Sequence, residues 1–366
     1  MFSANNRLGL HSLQRGVALL TVLFVLVLLT TLAVYIAEDE HLAIRKLENQ
    51  RDAEQSRQVA LGGEVWVAKA LEQDANRRSG TACSSGTACL MDSWATIAGS
   101  TIALEDGTMQ VTAYDESGKF NLNNLVDGRE IRDPSATATS TDPLISPWYS
   151  LFQRLLISQG IEEEKVDLVV DWIDANDEAS LSGAESSAYL SSDNGPYLAP
   201  NHPMSSISEL NFIDGFTDAE IKKLAPLVTA LPVTPGLING DSQFPDLSGD
   251  LIKINISTAG PEILSVLQEA TLESYTLEAI KADQKAGLYS TVSSALHNFD
   301  ANEREQVEAL IDVKSNYFSV TSCAKYGRVT YSLKSILERT QDTQNPKISV
   351  LSRQRTYRCE LTTETQ

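Results

Sequence analysis

The sequence predicts an α+β protein in which a long N-terminal helix lies on an antiparallel sheet and a large all-α insertion interrupts that sheet. The first observation is an uncharged apolar run at residues 17–37, followed by a polar stretch rich in helix-forming residues. The second is alternating polarity, typical of strands, in residues 101–125 and again from residue 317. The third is helical periodicity between these regions, which favours one sheet whose two parts are far apart in the chain.

Composition limits the function classes that are open to this chain. Its 366 residues are enough for two or three globular units, and its hydrophobic fraction of 42% is that of folded protein. It carries 49 acidic and 29 basic residues, a net charge of −20. Because such a surface repels phosphate backbones, nucleic acid is not expected as a partner.

The apolar run is long enough to cross a bilayer, because about 21 residues at roughly 1.5 Å each match a hydrocarbon core of about 30 Å. Basic residues precede the run and acidic residues follow it, so the positive-inside tendency leaves the N-terminus in the cytoplasm and exports the remainder. These flanking residues are Arg7, His11 and Arg15 before the run and Glu38, Asp39 and Glu40 after it.

Three interpretations of this run compete: a cleaved secretory signal, a plain membrane anchor and a processed pilin-type helix. A secretory signal fits poorly, because its apolar region is normally about 7 to 15 residues long and ends in small residues. Here the run is longer, and bulky Tyr35 occupies one of the positions that need a small side chain. A plain anchor gives no reason for Arg15-Gly16 to adjoin the run.

The segments after the run follow in order. Residues 38–78 contain no proline and predict a continuation of the first helix, weakened at Gly62-Gly63. The Asp106-Gly107 signal between alternating segments predicts a hairpin, and residues 115–118 predict a further turn. Residues 127–147 are typical of a linker.

The central block predicts helices at 149–159, 162–173, 207–212, 218–228 and 261–268, with more up to residue 313. The last fifty residues predict strands at 317–324, 328–336 and 347–360. A weak echo between NLNNL at 121–125 and INISTA at 254–259 leaves an internal duplication open.

The four cysteines would lie in an oxidising compartment, and no C-x-x-C pair indicates a zinc site. We expect two disulfides. The favoured pairing joins cysteines within one local unit, although sequence alone leaves three connectivities open. The expected pairs are Cys83 with Cys89 and Cys323 with Cys359.

The densest polar cluster, residues 171–201, is a candidate metal site. Asp171 and Asp174, three residues apart, lie on one face at the end of a helix. Many oxygen donors on a loop with few nitrogen or sulfur donors are what calcium requires, although Ala179 replaces the turn glycine of an EF-hand. The alternative is a solvated acidic loop. The candidate ligands are Asp171, Asp174, Asp177, Glu178 and Glu185.

No constellation of residues predicts an enzyme. There is neither a GxSxG elbow nor a P-loop, and the four histidines are scattered along the chain. Residues 209–224 look like a helix-hairpin-helix, but their acidic surroundings favour a packing or protein-contact role over DNA binding.

The stretch RGVALLTVLFVLVLLTTLAV at residues 15–34 resembles the N-terminus of type IV pilins and pseudopilins. Further segments are similar to the K-type minor pseudopilins of type II secretion systems (GspK family), and together they span nearly the whole chain. These segments are DESGKFNLNNL, LVVDWIDANDEASLSGAE, SISELNFIDGF, LVTALP and INISTA.

The resemblance implies a pseudopilin fold, cleavage by prepilin peptidase between Gly16 and Val17, and N-methylation of Val17. It also implies a calcium-binding insertion. The expected partners are I- and J-type minor pseudopilins, other pseudopilins and the inner-membrane assembly platform. The organisation expected is a leader at 1–16, a transmembrane segment at 17–37, the helix continuation and first strands at 38–125, the helical insertion at 126–316 and the final strands at 317–366.

Thr21 stands where pilin-type helices usually carry glutamate, at the fifth mature position. A carboxylate in the apolar core is costly unless paired, and in ordinary subunits its partner is thought to be the N-terminal amine of the neighbour above. A subunit with no neighbour above needs no such carboxylate. We therefore expect a tip-forming minor pseudopilin, anchored in the bacterial inner membrane with its globular part in the periplasm, that starts or caps a fibre used to export folded proteins. The alternative is a membrane-tethered, calcium-dependent module that binds secreted substrate.

Overall fold

The computed structural model describes residues 11–76, 83, 87–97, 99–128, 146–191, 196–233, 251–267, 274–299, 304–340, 346–357 and 359. Most of the predicted linker and the first ten residues of the predicted leader lie outside the described residues.

The N-terminal helix, α1, runs without interruption over His11–Ala75, which is about 98 Å at roughly 1.5 Å per residue. From Val17 onward it is the one helix in the described part of the chain that is apolar and long enough to cross a membrane. Side chains 17–51 are exposed, whereas Ala60, Val67 and Leu71 are buried against the sheet. The helix thus combines an exposed apolar half with a second half that forms one side of a core.

Gly62-Gly63, the pair expected to weaken α1, lies within the continuous helix. A Cβ on Gly63 would lie 2.2 Å from Ser322 Oγ and 2.9 Å from Val111 Cγ2, whereas one on Gly62 would meet nothing within 4 Å. At Gly63 the helix therefore lies close against the sheet.

A short helix, α2 (Ser93–Ile97), precedes the predicted hairpin, which is confirmed as β1 (Ser100–Leu104) and β2 (Gly107–Asp115). The predicted turn after it is a 3-10 helix, Glu116–Gly118, capped by the side chain of Asp115. The chain then leaves the sheet and enters the insertion.

The insertion consists of two units with the same topology. Unit 1, residues 118–233, starts and ends on two-residue strands that pair in parallel. Its elements are β3 (Phe120–Asn121), a 3-10 helix (Leu122–Gly128), α3 (Pro147–Ser158), α4 (Lys165–Ile173), α5 (Ser186–Tyr189), a 3-10 helix (Ile207–Phe212), α6 (Asp218–Leu224) and β4 (Val228–Thr229).

Unit 2, residues 251–313, is closed in the same way by a parallel pair of two-residue strands. Its elements are β5 (Ile254–Asn255), α7 (Pro261–Leu267), α8 (Ser274–Ala286), α9 (Val292–Ala295), a 3-10 helix (Leu296–Asn298), α10 (Arg304–Leu310) and β6 (Ile311–Asp312).

The two segments of the weak echo contribute the first strand of their respective units. Asn121 and Asn255 each end the first strand of their unit, and each side-chain oxygen accepts a hydrogen bond from the amide two residues later. Each unit also has a short helix that begins with a capping box, at Ser206 in unit 1 and at Thr291 in unit 2.

The asparagines of NLNNL serve as backbone partners inside the insertion. Each one accepts a hydrogen bond from a backbone amide and donates one to the carbonyl of the same residue, so three otherwise unpaired peptide groups are satisfied. The pairs are Asn121 with Leu231, Asn123 with Met204 and Asn124 with Ile252, the last of which joins the two units.

The chain returns to the sheet through β7 (Tyr317–Tyr326), β8 (Val329–Arg339) and β9 (Ile348–Thr356). The sheet has the order β1-β2-β7-β8-β9 and every neighbouring pair is antiparallel. The predicted interruption of one sheet by the insertion is therefore confirmed. The structure also joins Cys83 to Cys89 and Cys323 to Cys359, the pairing that the sequence favours.

The insertion lies at the end of the sheet farthest from the apolar half of α1. The β7–β8 turn contacts α1 at Asp52, whose carboxylate accepts a hydrogen bond from Arg328 N at 3.3 Å. At the opposite end Phe318, at the start of β7, shares a core with Leu71 of α1.

Asp115 joins the sheet to the insertion at that far end. One carboxylate oxygen accepts hydrogen bonds from Asn255 Nδ2 at 3.0 Å, Thr258 Oγ1 at 2.5 Å and Ser315 Oγ at 2.5 Å, and the other accepts one from Ser117 N at 2.9 Å. Burial raises the pKa of Asp115, and these hydrogen bonds act in the opposite direction. The joint is polar and specific, because four donors depend on one side chain.

Candidate metal centre

Three carboxylates of unit 1 converge at the end of α4. Asp171 is in the last turn of α4, Asp174 is its C-cap and Glu185 is the N-cap of α5. Each offers an oxygen within 4.8 Å of the others, and they are exposed by only 0%, 4% and 3%. The i, i+3 spacing places the two aspartates on one helix face, and the loop after α4 brings Glu185 back to them.

The loop from Asp174 to Glu185 is held by hydrogen bonds to buried carboxylates. Asp171 Oδ2 accepts one from Ser180 N at 2.9 Å, and Asp167 Oδ2 accepts one from Ser182 N at 3.2 Å. Gly183, the next residue, packs so tightly that a Cβ there would lie 1.9 Å from Asp171 Oδ2. Sequence reasoning missed Asp167 and Gly183, and the signal was the position of Asp167 one helical turn before Asp171.

Two of the five candidate ligands lie outside this group. Asp177 and Glu178 are exposed on the loop, and Glu178 N donates to Asn176 Oδ1 at 2.7 Å. The geometry therefore brings together Asp171, Asp174 and Glu185 and leaves the other two at the surface.

The donor set suits a hard cation. Three buried carboxylates in one place repel one another, and an ion with a charge of +2 that prefers oxygen ligands relieves this repulsion. Asn201 adds a neutral oxygen beside the loop: its Nδ2 donates to the Asn176 carbonyl at 2.8 Å, and its Oδ1 is buried without a hydrogen-bond partner among the described residues. Its backbone is left-handed, with φ of 49°. The residues present fit calcium.

An aromatic group forms the wall behind these carboxylates. Tyr189 is fully buried, stacks on Tyr197 at 5.3 Å between ring centroids and meets Trp172 edge-on at 5.3 Å. Burial raises the pKa of Tyr189, and Tyr197 and the nearby carboxylates of Asp214 and Asp171 raise it further. The phenol is therefore neutral at any physiological pH, and it adds no negative charge to the site.

The helix-hairpin-helix-like segment packs against this wall. Glu209 accepts a hydrogen bond from Trp172 Nε1 at 3.1 Å and completes the capping box of its own 3-10 helix. Leu210 and Leu224 are fully buried, and Gly215 has φ of 113° between the two short helices. The contacts are those of a packing unit.

The residues expected to direct processing and assembly lie on α1. Gly16 and Val17 are both within the helix. Thr21 Oγ1 donates to the Ala18 carbonyl at 2.9 Å, so its hydroxyl is satisfied inside its own helix.

A long apolar helix whose second half packs on an antiparallel sheet, with a large helical insertion at the far end of that sheet, is the architecture of a pilin-like protein, and the apolar half is long enough to cross a membrane. Comparisons with known proteins support this class. Residues 118–233, which are unit 1, match the family model described as type II secretion system (T2SS), protein K.

Relatives with the same description cover nearly all of the chain. Type II secretion system protein K of Pseudomonas aeruginosa is 29% identical over 93% of this chain and 92% of its own length, and that of Pectobacterium carotovorum is 28% identical over 94% and 97%. The putative protein K of Escherichia coli K12 is 33% identical over 62% and 65%. The resemblance predicted from the sequence, to the K-type minor pseudopilins of type II secretion (GspK family), is confirmed.

A solved structure supports the fold. One chain of the crystal structure of the GspK-GspI-GspJ complex from enterotoxigenic Escherichia coli superposes with a TM-score of 0.65 at 23% identity, covering 85% of this chain and 99% of that chain.

Proposed function

We propose that this chain forms the tip of a type II secretion pseudopilus, where it starts or caps a fibre that exports folded periplasmic proteins across the outer membrane. The observation that carries the proposal is the place of the insertion. It lies at the end of the sheet farthest from the apolar half of α1, beside Phe318 and Leu71, where a subunit above this one in the fibre would have to pack. A subunit with this bulk at its outer end has room for neighbours only beside and below it.

The N-terminal helix is the part of the chain that is processed and then packs into the fibre. We infer that prepilin peptidase cleaves between Gly16 and Val17, that Val17 is then N-methylated, and that the helix starts in the inner membrane with the globular part in the periplasm. The hydroxyl of Thr21 bonds within its own helix and offers no charge to the amine of a neighbour above. I- and J-type minor pseudopilins are the partners beneath it.

Mass spectrometry of the full chain, expressed with its own prepilin peptidase, tests the processing. The expected mature protein starts at methylated Val17. A chain that starts at Met1, or one that starts after Ala37, would contradict the proposal.

Co-purification tests the assembly role against the alternative. Stable association with I- and J-type subunits is expected, and it must be lost when the apolar half of α1 is interrupted, for example by Leu26→Arg. Capture of secreted proteins without these subunits would favour the tethered substrate-binding module, which the relatives described above do not support. No catalytic role is part of the proposal.

We also propose that unit 1 binds calcium through Asp171, Asp174 and Glu185. When bound, the ion would neutralise three buried carboxylates and fix the loop that carries Gly183. Isothermal titration of the full-length chain should show calcium binding and a rise in melting temperature. Asp171→Asn should weaken binding by about tenfold or more, since it removes one charged ligand, whereas Asp177→Asn, at an exposed position, should not change it. Equal binding by both variants would contradict this ligand set.

A further inference from the structure

Charge is divided unevenly between the parts of this protein. Residues 118–313 contain 31 acidic and 11 basic residues, so the insertion alone carries a net charge of −20, equal to that of the whole chain. Residues 314–358 contain 9 basic and 2 acidic residues, a net charge of +7. The final strands are therefore basic in an otherwise acidic protein, and their field attracts an acidic partner.

The basic residues reach the surface at β9. This strand is the last of the five in the described part of the chain, and seven of its nine residues are exposed. α1 packs mainly on β7 and β8 and has few contacts with β9. From residue 346 to 359 the chain has four basic residues and no acidic one.

Two arginines of this region are held by contacts with other side chains. Arg353 donates two hydrogen bonds to Glu64 of α1, at 2.8 Å and 2.7 Å, and its side chain stays 50% exposed. Arg355 lies over the rings of Tyr331 at 5.1 Å and Tyr357 at 5.8 Å, and Tyr357 is 92% exposed. We name three exposed residues of this region, which the strand register places on the α1 side of the sheet, the β9 strip: Arg353, Arg355 and Tyr357.

Arginine and tyrosine are the residues that most often dominate the binding energy of an interface. A strip whose arginines are already held by Glu64 and Tyr331 loses little conformational entropy on binding. Its positive charge also discourages pairing with the same strip of a second copy, as basic residues on edge strands commonly do. The strip thus favours an acidic partner and disfavours pairing with the same strip of a second copy.

The orientation of α1 indicates which kind of partner can reach the β9 strip. A subunit anchored in the same bilayer by its own N-terminal helix approaches this chain from the side, and the β9 strip lies at the side of α1. We propose that the β9 strip docks an acidic surface of a neighbouring membrane-anchored, pilin-like subunit. This inference rests on the proposed function, because it takes an I- or J-type minor pseudopilin as the neighbour.

Charge reversal on the full-length chain in detergent tests the surface. The variant Arg355→Glu changes the net charge by −2 at the strip, and the matched control, Lys222→Glu, makes the same change at an exposed position of the insertion. Binding to purified I- and J-type subunits is measured at two salt concentrations. The strip variant should bind about tenfold or more weakly and lose much of its salt dependence, whereas the control should bind like wild type.

Tyr357→Ser is the second variant, since a side chain that is 92% exposed can be removed without unfolding the chain. It should weaken binding severalfold at unchanged melting temperature. Equal affinity of wild type, strip variant and Tyr357→Ser overturns the docking surface and leaves the proposed function standing. Absence of binding by wild type and control alike overturns the proposed function, and the docking surface with it.

Discussion

The two units of the insertion share a topology but differ in how they connect their second long helix to the capped short helix. In unit 1 the 33 residues from 174 to 206 separate α4 from the 3-10 helix, and in unit 2 the five residues from 287 to 291 separate α8 from α9. The long connection carries Asp174 and Glu185 and returns to Asp171.

Unit 2 closes the equivalent place with neutral groups. Gln284 of α8 is buried and donates to the carbonyls of Ile256 at 2.6 Å and Ala259 at 3.0 Å. The neighbouring pair of Asp283 and His297, at 3.3 Å, is exposed on the histidine side. The comparison teaches that, in the described part of the chain, three carboxylates converge in unit 1 and not in unit 2, and that the long acidic connection distinguishes the two units.

The largest expected effect is at Gly183. Gly183→Ala should destabilise the protein by about 2–4 kcal/mol, because the new Cβ overlaps the carboxylate of Asp171 in a tightly packed place. The control in unit 2 is Gly260→Ala, where the nearest atom, Glu262 Oε2, would be 3.6 Å away. Urea denaturation measures both, and similar losses would show that the two units are equally constrained.

The next effect is at Gln284 in unit 2. Gln284→Ala should cost about 2 kcal/mol, because two buried carbonyls lose their donor. The loss should be the same with calcium and with a chelator, in contrast to any variant of Asp171. Thermal unfolding under both conditions makes the comparison, and a calcium-dependent loss would mean that the two units are coupled.

Acid titration tests the contact between α1 and the sheet, which lies outside both units. Burial acts to raise the pKa of Glu64, but hydrogen bonds from Arg353 and Ser335 outweigh it, so the pKa of this carboxyl lies below its ordinary value. A lowered pKa in the folded state contributes stability that is fully present above the unfolded pKa of about 4.3 and is lost as pH falls through the folded pKa.

Glu64→Gln should therefore destabilise the protein by about 1–2 kcal/mol near neutral pH, with the difference from wild type shrinking below about pH 4. Denaturation at a series of pH values measures it. Since Glu64 is outside both units, this variant tests the contact between α1 and the sheet without changing the insertion. If the stability difference between wild type and Glu64→Gln grew toward low pH, the pKa of Glu64 would be raised and not lowered by folding.

The smallest effect is on α1, which provides a reference outside both units. Gly62→Ala should stabilise the helix by about 0.5–1 kcal/mol, since the position is open and alanine is the better helix former. Gly63→Ala should destabilise it, because Ser322 Oγ and Val111 would have to move. If both variants are equally stable, the close approach of helix and sheet is not rigid.

Sequence predicted the architecture well because its signals are periodic and local. The apolar run, the hairpin at Asp106-Gly107 and the final strands each follow from spacing, and the interrupted sheet follows from the order of these segments. The boundaries were less accurate: α4 begins at Lys165, because Glu162 to Glu164 form a turn before it.

The candidate site was predicted only in part. Asp171 and Asp174 follow from helical spacing, but the choice between Glu185 and Asp177 depends on how the loop folds back, which no local pattern encodes. The roles of Gly183, Asp115 and the NLNNL asparagines depend on partners from 12 to 200 positions away. Such long-range contacts produce no periodic pattern, so they cannot be predicted from a single sequence.

The pairing of β2 with β7 also has a consequence for folding kinetics. It places Asp115 opposite Phe318, roughly 200 residues further along the chain. Forming this pair is slow, because the entropy cost of closing so long a loop comes before any stabilising contact. The two units of the insertion, in contrast, are each closed by their own short parallel strand pair. We therefore expect the insertion to fold first and to bring the two halves of the sheet together, so that the part of the protein that ends up outermost is also its folding nucleus.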